Sequence, residues 1–198
     1  MAWTVRNTIP DVTIKYYRGV GYYVGTENGV NECLVRDTVT GWVLPNCVGY
    51  TWGRWYEAFR TRPNLSRADA YRWYGYNLAG GYYSYGGPGD APRVGAIACF
   101  LDLRHPTEGG HVSVVEYMTG SIPVTSNSGY SGNPDFWMEA LVWTGSTWQR
   151  GYNASDYQFQ GWIYPPGGGD GSFKPWILLA GQRRFPNGRG RIINNRRF

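Results

Sequence analysis

Cys47 stands in the run Leu44-Pro45-Asn46-Cys47-Val48-Gly49-Tyr50-Thr51-Trp52. Proline stops what precedes it, and asparagine accepts hydrogen bonds from the unpaired N–H groups that open a helix. The run therefore predicts a helix beginning at Cys47. A thiol there lies at the positive end of the helix dipole, which favours the thiolate, the nucleophilic form. Such a nucleophile needs a base. Of the two histidines, His105 precedes Pro106 in a loop, whereas His111 opens an apolar run directly after Gly109-Gly110. The mouth of a strand fixes an imidazole better than a loop flanked by proline and glycine, so His111 is the candidate. Each residue alone also has a plainer reading. A free cysteine is among the most buried residue types, and a histidine at a sheet end can be a satisfied polar group.

The elements that must hold these groups can be read from spacing. Val48, Trp52, Trp55 and Phe59 recur at helical intervals, which gives the Cys47 helix one apolar stripe, and Pro63 must end it. A second helix is expected from Ser66, boxed by Asp69, to about Tyr74, with Gly75 closing it. The Gly- and Tyr-rich run Gly80–Gly89 reads either as a groove wall presenting rings to a ligand or as an ordinary irregular loop. Beyond it the pattern turns to strands: Val94–Phe100, His111–Tyr117, Ile122–Thr125 (broken by Ser126–Tyr130), Ala140–Thr144 and Tyr157–Tyr164. Upstream, residues 2–24 read as an arm or hairpin with β-like runs at 12–17 and 22–24, and residues 25–45 are expected to be mostly loop with one strand near Cys33 to Val35. Helices followed by an antiparallel meander is an α+β layout.

Composition narrows the class. Of 198 residues 17% are aromatic, 17% are charged and 29 are glycine, a folded and loop-rich mixture. Three widely spaced cysteines, Cys33, Cys47 and Cys99, do not make a disulfide framework, and no Cys/His spacing suggests zinc. The N-terminus lacks the apolar run of a secretory signal, and no stretch is apolar for long enough to span a membrane, so a product made in the cytoplasm without a signal peptide is expected. The net charge of +5 belongs to the end of the chain: residues 182–198 hold six arginines and no acid. Such a tail suits anionic wall polymer, a neighbouring virion protein or phosphate, or serves only solubility.

Four segments in order, Pro45–Arg54, Val94–Ala98, Gly110–Glu116 and Ser126–Tyr130, resemble the CHAP family, the cysteine, histidine-dependent amidohydrolase/peptidase domains of phage lysins and bacterial wall hydrolases. The resemblance covers about residues 40–165 and divides the chain into an arm or hairpin (1–39), a CHAP-like catalytic domain (40–166) and a basic tail (167–198). It implies a papain-like α+β fold, with N-terminal helices packed on an antiparallel sheet, and cleavage of an amide in peptidoglycan. By it, Cys47 is the nucleophile and His111 the base. Many members place a glutamate near the end of the following strand to orient the base, and the matching position here holds Asn127. An amide oxygen can accept from the imidazole and fix its tautomer. Glu116 is the rival, but five residues along the same strand from His111 it points to the other face.

Candidate substrate contacts are Asn46, Tyr50, Tyr83, Tyr85 and Tyr130, and the expected mechanism has an oxyanion held by the Cys47 N–H plus a second donor. Where papain carries a glutamine for that purpose this chain has Gly41. Some members bind calcium through clustered aspartates ahead of the cysteine. Here only Glu32 and Asp37 are near, so neither metal nor cofactor is expected. The leading expectation is a phage-encoded peptidoglycan hydrolase acting at the bacterial cell wall, for lysis or as part of the virion. The alternatives are a structural virion or tail protein that keeps the fold for binding, and a papain-like protease acting on protein.

Overall fold

The structure is a computed structural model and describes residues 3–8, 26–27, 30–31, 34–36, 43–66, 68–129 and 136–166. Two small antiparallel pairs, β1 (Thr26–Glu27) with β2 (Val30–Asn31) and β3 (Leu34–Arg36) with β4 (Val43–Pro45), precede helix α1 (Cys47–Phe59). Helix α2 (Ala70–Gly80) follows, and then β5 (Ser84–Gly86), β6 (Ile97–Asp102), β7 (Gly110–Thr119), β8 (Ile122–Ser128) and β9 (Phe136–Ala140). A short pair, β10 (Val142–Trp143) with β11 (Trp148–Gln149), leads to β12 (Tyr157–Tyr164). The main sheet has six antiparallel strands in the order β5-β12-β6-β7-β8-β9, with the two helices packed against it. This is the α+β, papain-like arrangement.

Helix α1 begins where the cap demands. The Asn46 side chain accepts from the Gly49 N–H at 2.9 Å, and Arg60, in the left-handed region, closes the other end. Its apolar stripe packs as expected, with Val48, Trp52 and Trp55 in the core between helices and sheet. The opposite side is not solvated, however: every residue from Cys47 to Trp55 is buried, Thr51 and Arg54 included. A helix buried all round holds its first residue rigidly, but its polar side chains must find partners inside the protein.

Helix α2 starts and ends later than the sequence suggests. Ser66 does not cap it but forms a local turn, its Oγ accepting from Ala68 N–H, while Asn77 holds its backbone N–H and its carbonyl accepts from Trp73. Gly75 lies within the helix, and the chain turns only at Gly81, whose φ is 66°. Tertiary anchoring by Trp73 and Asn77, both buried, overrides the local stop signal.

Two further differences affect the sheet. Strand β8 continues through Ser128 rather than breaking at Ser126, because β9, absent from the sequence reading, pairs with it from Val124–Ala140 to Ser128–Phe136. The expected strand Ala140–Thr144 is interrupted at Leu141, whose buried side chain joins a second core on the far side of the sheet with Phe100, Phe159 and Trp162. Residues 12–24, Tyr130 and the tail from 167 onward lie outside the described residues.

Candidate active site

Cys47 is the first residue of α1, and its thiol is met by the backbone N–H of Val112, the residue after His111. Burial pushes the thiol up from its ordinary range. The N–H groups of Val112, Val48 and Cys47 itself, together with the Arg150 charge, act in the opposite direction.

His111 is carried one residue inside β7, and Gly110 before it allows the close approach. A Cβ at Gly110 would lie 2.6 Å from the backbone nitrogen of Tyr71, so the start of α2 rests directly on the mouth of the strand. Val114 pairs with Ser126 across the β7–β8 ladder. His111 and Asn127, each an odd number of residues away, therefore emerge on one face. There the imidazole Nε2 lies 2.9 Å from Asn127 Oδ1.

The orientation of that amide follows from its other end. Asn127 Nδ2 donates to the Thr125 carbonyl and Thr125 Oγ1, both at 3.1 Å, and faces the Trp137 carbonyl at 3.4 Å. Thr125 Oγ1 itself donates to the Glu139 carbonyl, which leaves its lone pairs for the amide. Oδ1 is therefore the end facing the ring, and an oxygen can only accept, so Nε2 carries the proton and Nδ1 the lone pair. Trp137 stacks on the imidazole at 5.6 Å and 18°, and Tyr157 meets it edge-on at 6.5 Å. Burial, seconded by the Arg150 charge, pushes the ring down to about 3, so it is neutral at neutral pH.

Sulfur and imidazole thus lie to either side of one peptide, His111–Val112. Val112 packs with Cys47 in the helix-side core, while His111 pairs in register with Phe100 of the far core. No hydrogen bond joins them among the described residues, and Nδ1 has no other partner there.

Glu116 is not part of this arrangement. It faces α1, where both its oxygens take Arg54 at 2.8 Å, and it also accepts from Ser126 Oγ, Trp3 Nε1 and the Arg6 N–H. Of the expected substrate contacts, Tyr50 must be corrected: it is fully buried, with its hydroxyl 2.7 Å from Ser126 Oγ, so its ring cannot meet a ligand. The Asn46 side chain is occupied as the helix cap. Tyr83 packs its ring on Trp55, and its hydroxyl accepts from the Asn64 N–H, while the Tyr85 hydroxyl donates to the Asn77 carbonyl. The rings that stand out on this side are Tyr76 and Tyr82, 53% and 62% exposed, beside an open groove that includes Asn64 and Gly80. The sequence reading missed Trp137, Arg150 and Tyr157, which surround the imidazole. Alternation in Phe136-Trp137-Met138-Glu139 was the available signal for the first.

Residues 37–128 match the family model of the CHAP domain, a span that includes Cys47, His111 and Asn127. No curated protein matches the chain. Among the described residues no helix is long and apolar enough to cross a membrane. Over residues 37–128 the chain is thus similar to the CHAP domain, a domain that indicates a peptidoglycan hydrolase-like amidase or peptidase activity.

Proposed function

We propose that the protein is a phage-type lysin that cleaves an amide bond in bacterial peptidoglycan by covalent catalysis, with Cys47 as nucleophile, His111 as general base and Asn127 as orienter. The observation that carries this reading is the fixed Asn127 amide. By accepting from Nε2–H it leaves the Nδ1 lone pair free, while the N–H of the next residue, Val112, meets the sulfur. Burial keeps thiol and imidazole neutral at rest, so attack proceeds with proton transfer from sulfur to Nδ1 rather than from a preformed ion pair. Substrate binding brings the two groups together, as catalytic hydrogen bonds commonly tighten only in the complex.

The sulfur adds to the stem-peptide carbonyl, and the resulting oxyanion is stabilised by the Cys47 N–H at the start of α1. Collapse breaks the C–N bond, with the amine leaving with the proton from Nδ1. Water then attacks the thioester, giving its proton to Nδ1, and carboxylate and thiol are released. The chain is expected to act at the cell wall, with the basic tail of residues 182–198 supporting contact with anionic wall polymer or other virion proteins. The domain limits 1–39, 40–166 and 167–198 belong to the same proposal. Incubation of the purified protein with defined cell walls and with casein tests the reading. Release of stem-peptide fragments from walls supports it, and digestion of casein alone would replace it with a general protease.

A further inference from the structure

Arg150 is a buried cation whose position the catalytic reading does not use. Its side chain is 5% exposed, and it reaches Glu139 through Nε and Nη2 at 3.3–3.4 Å. The guanidinium lies 4.6 Å from the centre of the Tyr157 ring and 5.8 Å from that of Trp137. Those are the two rings that flank His111. Glu139 is fixed in turn by Trp137 Nε1 and the Tyr152 N–H. A planar cation held by one carboxylate and laid against two aromatic rings suits arginine and not lysine.

We propose that Arg150 is the positioning residue of the dyad, holding Trp137 and Tyr157 against the His111 ring and supplying the positive charge that favours thiolate at Cys47 while keeping the imidazole in its basic form. This rests on the catalytic reading of Cys47 and His111. The charged and titratable groups around the pair are Arg150 with Glu139, Tyr157 with Asp102 and Arg104 beyond it, and Cys99 on β6 near the thiol. Among the described residues Arg150 is the cation named as acting on both members of the dyad, and in the same direction on each.

That common direction gives a test that mere loosening of the site would fail. Loss of packing admits water, which lowers the Cys47 titration and raises that of His111. Loss of a positive charge raises both. The pH dependence of Cys47 alkylation by iodoacetamide, followed by peptide mass spectrometry, is measured together with the NMR titration of His111, in the full chain and in Arg150→Met and Arg150→Lys. In Arg150→Met both midpoints should move up, the thiol by roughly one unit, which is about tenfold in alkylation rate at a pH below the midpoint. Arg150→Lys should restore the thiol midpoint but not the ring contacts. A thiol midpoint that stays put or falls in Arg150→Met overturns the proposal.

If Arg150→Met does not fold, Glu139→Gln reads the same field with the opposite sign. Both midpoints should then fall, and an unchanged pair overturns the proposal. Neither readout needs a substrate, so a failure to cleave walls, which would sink the hydrolase reading, is told apart from a failure of the Arg150 field, which shows only in the two midpoints.

Discussion

Helix α1 and strands β7 and β8 carry two polar clusters, and their contrast separates scaffold from chemistry. On the helix-facing side, Glu116 is saturated: Arg54 takes both its oxygens, while Ser126, Trp3 and Arg6 complete its set. At the strand mouth the bonding is incomplete by design of the same elements. Asn127 fixes one nitrogen of His111, the other nitrogen is left over, and the Cys47 sulfur faces a single neighbouring N–H from the sheet. Buried polar groups with every valence used hold a fold together. One with a spare lone pair, beside a spare nucleophile, is equipped to react.

The contrast can be broken by substitution. Cys47→Ala should abolish wall cleavage while leaving thermal unfolding nearly unchanged, since a small buried group is replaced by a small one. Residual cleavage above background would remove Cys47 from the mechanism. Glu116→Ala should do the reverse. It takes two short bonds from the buried Arg54, which keeps Glu57 and the Thr4 carbonyl, at a cost of about 3 kcal/mol in urea unfolding, yet activity per folded molecule should persist. Should Glu116→Ala lose activity while staying folded, the division between the two clusters fails.

Asn127→Ala should fold and slow turnover by roughly 10- to 100-fold, less than the removal of the base itself. Its rate should recover in part with Asn127→Gln or Asn127→Asp only if an acceptor regains Nε2. An Asn127→Ala enzyme at full speed would return the orienting role to another residue.

A smaller effect should appear in stability against pH. The native imidazole is depressed to about 3, whereas the unfolded ring titrates near its ordinary 6.5. The contribution of the neutral ring is therefore fully present above about 6.5 and is lost as the pH falls towards 3, where the unfolded chain takes up a proton that the native ring refuses. Urea unfolding of the parent and of His111→Gln across this window should diverge on the acid side, the parent losing more. Parallel curves would mean that the ring is not shielded from water. Tyr50→Phe, which removes the hydroxyl and its bond to Ser126, should cost about 1 kcal/mol and leave turnover unaffected.

How much of this was legible beforehand follows from the range of each signal. The start of α1 was, because Pro45, Asn46 and the cysteine are consecutive and the cap is a local bond. So was the placing of Asn127, rather than Glu116, beside His111, since alternation along β7 turns Glu116 to the other face. The limits of α2 were not, because Gly75 is a stop signal in the local code that Trp73 and Asn77 outweigh through contacts distant in sequence. Tyr50 was misread because a tyrosine beside a nucleophile looks like a ligand contact until its hydroxyl is seen inside the protein on Ser126. Arg150 could not be picked out at all. Its distinction is the company of Glu139, Trp137 and Tyr157, which only the folded sheet assembles.

The most direct test of the central claim, that the Cys47 sulfur is served by the free nitrogen of His111, is the rate of Cys47 alkylation by iodoacetamide at pH 7 in the parent and in His111→Gln. The account predicts that Cys47 reacts faster than Cys33 and Cys99 in the parent and loses that advantage when the imidazole is removed. Equal sluggishness of all three thiols, or a Cys47 rate indifferent to His111, would contradict it.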